Sequence, residues 1–572
     1  MMGGYESRGA FRSSSFYLRC KRAKILFDME LKYFQSRVVY QIYPRSFCDS
    51  NGDGIGDIPG IISKLDYLHQ LGVGIIWLSP VYATENHDFG YDVTDYKAIN
   101  PEYGTMEDMD NLIAEAMKRG IRIVMDLVVN HTSDKHQWFL ESKKPESKYH
   151  NYYYWRKGRK NNTRPPNNWT SNFGGPAWKF DKDVGEWYLH LFAEGQPDLD
   201  WHNPEVREEV EDILRFWLDR GVYGFRCDVI NEIWKETLDD GKRQPFGFLV
   251  GKEHYLSKNG NHEILRRLYD DVFSKYDCMT VGECGYVNYE SANRFTDHEL
   301  DMVFSFDHMY LDRRFAPVFK KKYDPAKMKQ VLVGWQKNLD WNTLFFENHD
   351  QIRSLGRYTS LKYKDLGAKM LATVLMTLRG TPFIYQGEEF GMVDYPMFTP
   401  DQYVDIVDKY VYKTAKKLIR IEKVARRLVH NMNRDNARIP VQWNSSVSAG
   451  FSSSKSTWLP VHPNYKECNA AKADADPNSI LNYYRAIIKM RNADPILIAG
   501  AFQEIEAPKQ ILAFERAFNG ESEKVFINLS EKEVELGFNL ASYGQKILLS
   551  NYEDAALLEK ATLRPYEAII LK

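Results

Sequence analysis

The feature that most constrains the fold of this chain is a repeated alternation of short apolar runs with longer segments of helical periodicity. The segments Met106–Arg119, Glu205–Arg220 and Gly367–Thr377 have helical periodicity and lie between apolar runs. Strands that alternate with helices form parallel βαβ units, so the pattern predicts an α/β fold, a (β/α)8 or TIM barrel. The active site of such a barrel lies at the carboxyl ends of its strands. Eight runs predict these strands: Val38–Tyr43, Gly74–Leu78, Ile121–Asp126, Gly224–Asp228, Met279–Glu283, Met302–Phe306, Leu344–Phe346 and Pro382–Tyr385.

Two stretches depart from this alternation. Residues 131–201 are rich in Asn, Trp, Tyr and Gly and are too long for an ordinary βα loop. We expect them to form an inserted subdomain after the third strand, which supplies one wall of the site. Residues 496–572 contain short β-type runs and predict a C-terminal antiparallel β-sandwich. The predicted barrel comprises residues 29–130 and 202–495.

The first 28 residues are rich in Ser and Arg and lack the apolar stretch of a secretory signal. A transit-like leader fits this composition. We expect instead a disordered extension that is not part of the fold, with the first domain beginning near Met29.

Composition excludes several function classes. The chain has 76 basic and 78 acidic residues, a net charge of -2, so no basic footprint for nucleic acid is present. No apolar run is long enough to span a membrane. The cysteines show no CxxC pairing, which predicts a reducing, cytoplasmic compartment. With 13 Trp, 36 Tyr and 31 Phe, the chain has many rings that could stack on a carbohydrate.

Three apolar segments end on a carboxylate: Gly224–Asp228, Val281–Glu283 and Asn348–Asp350. Burying a charge is costly unless the charge is paired or used. Three such acids at predicted strand ends therefore indicate the two carboxylates and a helper that cleave a glycosidic bond. An ordinary salt bridge is the alternative for any one of them.

The neighbours of these acids suggest different roles. Arg226 lies two residues before Asp228, so on a strand both side chains point to the same face. We expect the guanidinium to lower the pKa of Asp228, as a nucleophile requires. Glu283 has no cation on its own segment, which favours a proton donor. His349 and Asp350 could both bind sugar hydroxyls.

Several motifs, in the same order along the chain, resemble glycoside hydrolase family thirteen, the α-amylase family. They are Gln41–Phe47, Asp126–His131, Gln196–Leu199 and the three acid-terminated segments. Within the family the chain is similar to the oligo-1,6-glucosidase group, on the segments Tyr385–Glu389, Asn436–Arg438, Gln442–Trp443 and Trp458–Val461. The resemblance covers about residues 35–572.

The resemblance implies a retaining hydrolysis through a covalent glucosyl-enzyme. Asp228 would be the nucleophile, Glu283 the acid and then the base, and Asp350 the stabiliser of the transition state. Arg438 would pair with Asp88 behind the non-reducing end of the substrate, which makes the attack exo-acting. The implied contacts to the terminal glucose are Asp88, Tyr91, His131, Phe173, Arg226, His349 and Arg438. For Phe173 a place in the core fits the residue type nearly as well, and a lone histidine is more often structural.

Val229 directly follows the predicted nucleophile. In the family, Val at this position accompanies α-1,6 bonds, whereas Thr accompanies α-1,4 or sucrose-type bonds. A hydroxyl would contact the leaving sugar and a methyl group would not. The resemblance therefore implies α-1,6 specificity on isomaltose and isomalto-oligosaccharides. We expect a monomer whose only partners are these small oligosaccharides.

The segment Asp49–Asp57 alternates oxygen-bearing side chains with glycine, a pattern that suits Ca²⁺. Gly60 stands where an EF-hand loop has its bidentate Glu. The family carries a similar structural calcium loop, and no organic cofactor is expected. A metal-free Asx turn is the alternative. The expected ligands are Asp49, Asn51, Asp53, Asp57 and the carbonyl of Ile55.

Three alternative functions differ in the features that they need. A trehalose-6-phosphate hydrolase shares the Val after the nucleophile and requires phosphate-binding cations. A broader α-glucosidase would act on sucrose or isomaltulose or would transfer glucose, although Tyr310–Arg314 differs from the corresponding loop of sucrose isomerases. A non-catalytic transporter subunit would have a membrane anchor and degraded acids, and this chain has neither feature. The candidate phosphate ligands are Lys235, Lys242, Arg243 and Lys252.

Overall fold

The computed structural model describes residues 31–244, 247–314, 319–557 and 561–572. The predicted extension, residues 1–28, lies outside the described residues. Eight parallel strands form the central sheet: β1 Val39–Ile42, β2 Ile75–Leu78, β3 Arg122–Leu127, β4 Gly224–Cys227, β5 Met279–Glu283, β6 Met302–Phe304, β7 Asn342–Leu344 and β8 Gly380–Tyr385.

These strands close into a nearly complete barrel. Their order is β6-β5-β4-β3-β2-β1-β8-β7. The two outer strands meet where the hydroxyl of Thr343 in β7 donates to the carbonyl of Val303 in β6 at 2.9 Å. The predicted α/β barrel is therefore confirmed. Strand β7 begins two residues before the predicted run Leu344–Phe346 and ends at Leu344. Phe345 and Phe346 are buried but lie beyond the end of the strand.

A helix follows each strand before the next: α1 Leu65–Leu71, α2 Met106–Lys118, α3 Pro204–Asp219, α4 Asn259–Asp271, α5 Tyr289–Phe295, α6 Pro325–Asn338, α7 Lys364–Thr377 and α8 Ile480–Ala493. Helix α2 begins at a capping box, in which Thr105 and Asp108 each accept the backbone N–H of the other. Helix α3 begins with Asn203 as its cap and Pro204 in its first turn. Further helices are Ile58–Ile62, Gln137–Ser142, Arg159–Asn162, Ile406–Ile419, Glu422–His430, Asp435–Arg438, Ala470–Ala475 and Pro495–Ala499.

Strands β4 and β5 approach each other closely at Gly224. A Cβ atom at this position would lie 1.9 Å from the carbonyl oxygen of Met279. Only glycine fits there. This close approach matters for the site, because β4 leads into Asp228 and β5 ends at Glu283.

The insertion after β3 carries a three-stranded antiparallel sheet formed by Trp155–Arg156, Glu186–Leu189 and Trp178–Asp181. It has a small aromatic core of its own, which includes Trp169, Trp178 and Tyr255. Tyr255 comes from the segment between β4 and α4, so this core fastens the insertion to the barrel rim near the acids.

The C-terminal region contains a five-stranded antiparallel sheet, whose strands are β9 Ala501–Glu504, β10 Ile511–Phe518, β11 Glu521–Asn528, β12 Ile547–Ser550 and β13 Ala568–Leu571. Their order is β9-β10-β11-β13-β12. Side chains on a strand alternate between two faces. Phe514 and Ile570 join the main core on one face, whereas Phe526 and Ile569 join a separate cluster on the other. A two-stranded sheet, Val534–Glu535 with Thr562–Leu563, lies by that second cluster.

One buried arginine connects this sheet to the barrel, and a second joins neighbouring elements of the barrel. Arg516 donates to the carbonyls of Gly500 and of Thr377, the end of α7. Arg491 of α8 donates to the carbonyls of Met376 and Gly380. None of the helices within the described residues is long and apolar enough to cross a membrane. The five cysteines within those residues are free and buried.

Candidate active site

The three predicted catalytic acids lie at the carboxyl ends of barrel strands. Asp228 follows β4 directly, Glu283 is the final residue of β5, and Asp350 lies six residues beyond β7. Their side chains are 9%, 17% and 28% exposed, respectively. The structure therefore brings the three acids to one end of the barrel, and each is partly open to a ligand.

Arg226 connects two of these acids to a third buried carboxylate. Its Nη1 donates to Asp228 Oδ1 at 2.5 Å and to Asp126 Oδ1 at 2.7 Å. Its Nη2 donates to Glu283 Oε2 at 2.6 Å. Strand pairing explains this arrangement, because Arg226 of β4 is in register with Asp126 of β3. One guanidinium thus holds carboxylates from three adjacent strands.

The environment of Asp228 contradicts the expectation that its pKa is lowered. Burial raises the pKa of Asp228 well above its usual range, and the charges of Glu283 and Asp126 act in the same direction. Arg226 lowers it, as predicted, but does not set the net direction. The expected lowering is therefore wrong, because burial together with two neighbouring carboxylates outweighs the one cation.

Two arginines close the side of the site that contains Asp88. Arg438 donates to Asp350 Oδ1 at 2.7 Å and to Asp405 Oδ2 at 3.0 Å. Arg434 reaches Asp405 at 2.6 Å, Asp350 at 3.1 Å and Asp88 at 3.4 Å. The predicted pairing of Arg438 with Asp88 is therefore wrong, and Arg434 makes that contact instead.

Sequence reasoning missed Arg434, Asp405 and Asp126. A signal existed for two of them. Arg434 lies four residues before Arg438, so one helical turn places both on the same face. Asp126 is a fourth acid at the end of a predicted strand.

The two acids on this side differ in their electrostatics. Burial raises the pKa of Asp88 to about 7, and Arg434 opposes that rise. Burial also raises the pKa of Asp350, but the charges near it outweigh burial and hold the pKa well below its usual range. The neighbours that lower it are His349, Arg434 and Arg438. Asp350 is consequently kept ionised.

His349 and Tyr91 form a fixed pair. Their rings are parallel within 6°, with centroids 5.3 Å apart. Gln41 Nε2 donates to His349 Nδ1 at 2.8 Å, and His349 Nε2 lies 2.6 Å from the Tyr91 hydroxyl, which donates to Asp126 at 3.1 Å. Burial lowers the pKa of His349 to about 3, so the ring is neutral and Nε2 carries the proton.

His131 is buried behind this pair. Its Nε2 lies 3.0 Å from the carbonyl of Tyr91, to which Gln196 also donates at 3.1 Å. Gln196 lies 3.3 Å from Asp88 as well. Burial lowers the pKa of His131 to about 4. His131 and Gln196 therefore position Tyr91 and Asp88, and a direct sugar contact by His131 stays a prediction.

The loop Ser171–Gly175 of the insertion contacts the site through Phe173. The Phe173 ring is 5.3 Å from the Arg434 guanidinium carbon and packs edge-on against Phe192 at 5.5 Å. The preceding residue, Asn172, donates to Glu232 at 3.1 Å. Phe173 is half-buried, so it serves both as packing and as part of the wall.

Val229 has a strained backbone. Its φ and ψ angles are 36° and 37°, in the left-handed region that β-branched residues rarely adopt. Its N–H donates to Glu283 Oε2 at 3.3 Å. Strain of this kind is stored at functional sites, and here it turns the chain so that the backbone after the nucleophile contacts the acid.

The predicted calcium loop is held by its own backbone. Asp49 accepts the N–H groups of Asn51 at 3.0 Å, Gly52 at 2.7 Å and Gly54 at 2.8 Å. Asp57 accepts from Ser50 and Gly60, and Asp53 accepts from Ile55. Within the described residues no three His, Cys, Asp or Glu side chains converge as metal ligands. Calcium binding therefore stays a prediction, and these turns are the ones that the metal-free alternative predicts.

Two charged groups have structural partners. Lys235 is fully buried, with Nζ 2.7 Å from Asp198, so it is not available to bind phosphate. Glu347 is also buried and pairs with Arg353 at 2.9 Å. Of the other candidate phosphate ligands, Lys252 lies 5.4 Å from the ring centroid of Tyr286.

Comparisons of sequence place the chain among known proteins. Residues 41–500 match the model of the alpha-amylase catalytic domain. An oligo-1,6-glucosidase of Parageobacillus thermoglucosidasius is 45% identical over 95% of this chain and 99% of that protein. A trehalose-6-phosphate hydrolase of Bacillus subtilis is 40% identical over 94% of this chain and 98% of that protein.

Solved structures agree with the sequence matches. The trehalose-6-phosphate hydrolase of Bacillus licheniformis has a TM-score of 0.87 at 40% identity, over 94% of this chain and 99% of that one. The trehalulose synthase of Pseudomonas mesoacidophila MX-45 has a TM-score of 0.89 at 38% identity, over 95% and 99%. These two proteins share the architecture of this chain, and their names give different activities.

Proposed function

Because this chain belongs to the α-amylase family, we propose that it is a retaining, exo-acting α-glucosidase. Its proposed reaction is the hydrolysis of α-1,6-glucosidic bonds at the non-reducing end of isomaltose and isomalto-oligosaccharides. The observation that carries this proposal is the single guanidinium of Arg226, which contacts both Asp228 and Glu283. Adjacent nitrogens of one guanidinium favour the separation of about 5–5.5 Å that retaining enzymes need between nucleophile and acid.

The proposed first step divides the work between two carboxyl groups. Arg226 holds Oδ1 of Asp228, and Oδ2 attacks the anomeric carbon of glucose. Oε2 of Glu283 accepts hydrogen bonds from Arg226 and Val229, so Oε1 carries the proton. As the bond from the anomeric carbon to the leaving oxygen breaks, that proton passes to the oxygen.

In the second step the ionised Glu283 takes a proton from water. The resulting hydroxide displaces Asp228 from the anomeric carbon, and Glu283 regains its proton. Two inversions retain the configuration. Asp350, kept ionised by Arg434 and Arg438, stabilises the positive charge that develops on the sugar ring in both steps.

An exo-acting reaction requires a pocket that ends behind the glucose. Asp88 and Asp405 lie there with Arg434 between them, and Phe173 covers that arginine. The charged cluster leaves no path for a longer chain through this end. The terminal glucose would bind Asp88, Asp350 and the face of Tyr91.

The α-1,6 preference rests on Val229 and on relatives that are named oligo-1,6-glucosidases. We also propose that Ca²⁺ binds the loop Asp49–Asp57 as a structural ion. The trehalose-6-phosphate hydrolases among the relatives make that activity the main alternative. The buried Lys235 weakens that alternative, because this residue cannot contact a substrate phosphate.

The test is a substrate panel of isomaltose, maltose, sucrose and trehalose-6-phosphate, with kcat/KM measured for each. We expect isomaltose to exceed each of the others by at least tenfold. The initial glucose should be the α-anomer, which polarimetry or NMR detects. A preference for trehalose-6-phosphate would replace the proposed substrate, and initial β-glucose would exclude the retaining mechanism.

A further inference from the structure

Two helices between β8 and α8, Ile406–Ile419 and Glu422–His430, pack against each other as a hairpin. Every residue from Lys416 to Val424, the tip of this hairpin, is exposed. Single exposed apolar residues are ordinary on a protein surface, but adjacent ones mark a site of interaction. The hairpin tip carries four apolar side chains close together in sequence: Leu418, Ile419, Ile421 and Val424, which are 77%, 37%, 57% and 41% exposed.

The tip is not part of the contact between the hairpin and the rest of the protein. Ala425 and Val429 are fully buried on the inner side of the second helix, and Arg426 donates to the carbonyl of Phe398 at 3.0 Å. Arg420, whose φ is 59°, ends the first helix in the left-handed region, so the chain reverses direction at the tip. The tip is therefore the convex end of the hairpin, and its apolar side chains face solvent.

Cations lie beside these apolar side chains. The tip contains Lys416, Lys417, Arg420 and Lys423, and its one acid is Glu422, which lies 3.8 Å from Lys416. In the part of the chain that the structure describes, Lys417, Arg420 and Lys423 form no ion pair. Because the whole protein has a net charge of -2, the tip is a local concentration of positive charge and does not reflect the overall composition.

An anionic lipid surface is the partner that fits this combination. Lys and Arg side chains attract acidic headgroups, while neighbouring apolar side chains enter the boundary between headgroups and acyl chains. Nucleic acid would match the cations but would leave the apolar side chains in water. A second copy of this chain fits poorly, because a symmetric dimer through the tip would oppose the cations of both copies. A bound peptide needs a groove, and the tip is convex.

We propose that the hairpin tip binds the protein peripherally to membranes that contain anionic phospholipids. Leu418 and Ile421 enter the headgroup layer, and Lys417, Arg420 and Lys423 contact the lipid phosphates. Such docking needs no membrane-spanning helix. The inference is independent of the proposed α-glucosidase function, and it departs from the expectation that small oligosaccharides are the only partners.

The tip is distant from the candidate active site. The first helix begins after Asp405, which caps it and also binds Arg434 and Arg438 of the site. Leu418 lies near the other end of this helix, about 20 Å from Asp405 at a rise of about 1.5 Å per residue. Substitutions at the tip should therefore change membrane binding and leave the hydrolysis of isomaltose unchanged.

The test is co-sedimentation of the full-length protein with vesicles of phosphatidylcholine alone, or of phosphatidylcholine and phosphatidylglycerol in equal parts. The wild type should bind the anionic vesicles more tightly than the neutral ones by roughly tenfold or more, and added salt should weaken this binding. The charge variant, Lys417→Glu with Lys423→Glu, should lose affinity by roughly tenfold or more. The serine variant, Leu418→Ser with Ile421→Ser, should lose affinity by a similar factor.

A matched control separates the tip from overall charge. Lys466→Glu with Lys489→Glu changes the net charge as much as the charge variant does, at two exposed lysines outside the tip. This control should bind the anionic vesicles within about twofold of the wild type. Thermal unfolding and isomaltose hydrolysis, both measured without vesicles, should be the same in every variant, because the substituted side chains are exposed and distant from the site.

Three results would overturn the inference. The first is a wild type that does not bind anionic vesicles, or a control that loses as much affinity as the charge variant. The second is a serine variant that binds as tightly as the wild type, because binding through cations alone fits nucleic acid or another polyanion. The third is a dimer, detected by analytical ultracentrifugation, that the serine variant abolishes, since this would assign the tip to a second copy of the chain.

Discussion

Replacing Asp228 with Asn should stabilise the protein and abolish turnover. Once the pH is high enough to ionise both carboxyls, repulsion between Asp228 and Glu283 at about 5 Å and an effective dielectric constant of about 20 costs about 3 kcal/mol. Asn weakens the hydrogen bond from Arg226, which offsets roughly 1–2 kcal/mol of that relief. We expect a net increase of about 1–2 kcal/mol in the free energy of unfolding, which corresponds to a rise in Tm of about 1–3 °C.

The predicted gain in stability of Asp228→Asn depends on pH. The pKa of Asp228 is higher in the folded protein than in the unfolded chain, where it is about 3.9. Asp228 therefore lowers the free energy of unfolding increasingly as the pH rises from about 4 to its raised pKa. Below about pH 4 it has no such effect. The advantage of Asp228→Asn should be full above that raised pKa and should vanish near pH 4.

Two assays check the reasoning. Calorimetry across pH 4–8 should show the pH-dependent difference in Tm, and Asp340→Asn, which changes an exposed side chain, should show none. Turnover of Asp228→Asn should fall by at least roughly 10⁴-fold. A variant less stable than the wild type at every pH would refute the argument from repulsion. A folded variant with turnover within tenfold of the wild type would refute the role of Asp228 as nucleophile.

Three further predictions concern other parts of the molecule. Val229→Thr should raise the ratio of maltose to isomaltose cleavage about tenfold, since the new hydroxyl contacts the leaving sugar. If steady-state assays show no change in this ratio, the argument for α-1,6 specificity is removed. Arg434→Gln should raise the pKa of Asp88 further and lower kcat/KM more than 100-fold, because it removes the cation beside that buried carboxyl group. The pH profile measures this, with the exposed Arg427→Gln as control. A chelator should lower the Tm of the wild type by a few degrees and should lower the Tm of Asp53→Ala by less. Equal changes of Tm in the two proteins would favour a metal-free loop.

The barrel and the placement of its acids could be predicted from the sequence for a simple reason. The carboxyl ends of parallel strands meet at one end of a barrel, so a carboxylate after each of several strands must approach the others. Asp228 and Glu283 follow this rule on adjacent strands. Arg226 and Asp228 are on one face, as the period of a strand requires.

The partners of these groups could not be predicted from local spacing. Arg434 and Arg438 come from a segment more than 80 residues beyond Asp350, and only the packing of that segment decides which arginine meets Asp88. The pKa of Asp228 also depends on Asp126, which strand register brings in from 100 residues earlier. Burial and neighbouring charge, unlike strand ends, are properties of the assembled site.

The C-terminal sheet has a consequence for the timing of folding in the cell. Strand β13, Ala568–Leu571, lies inside that sheet, between β11 and β12, and one of its faces belongs to the core that the barrel helices share. Translation at 5–20 residues per second separates the synthesis of β1 from that of β13 by roughly half a minute to two minutes. Throughout that interval the nascent barrel exposes the apolar surface that β10, β11 and β13 later cover, so the completion of its core must follow translation of this region.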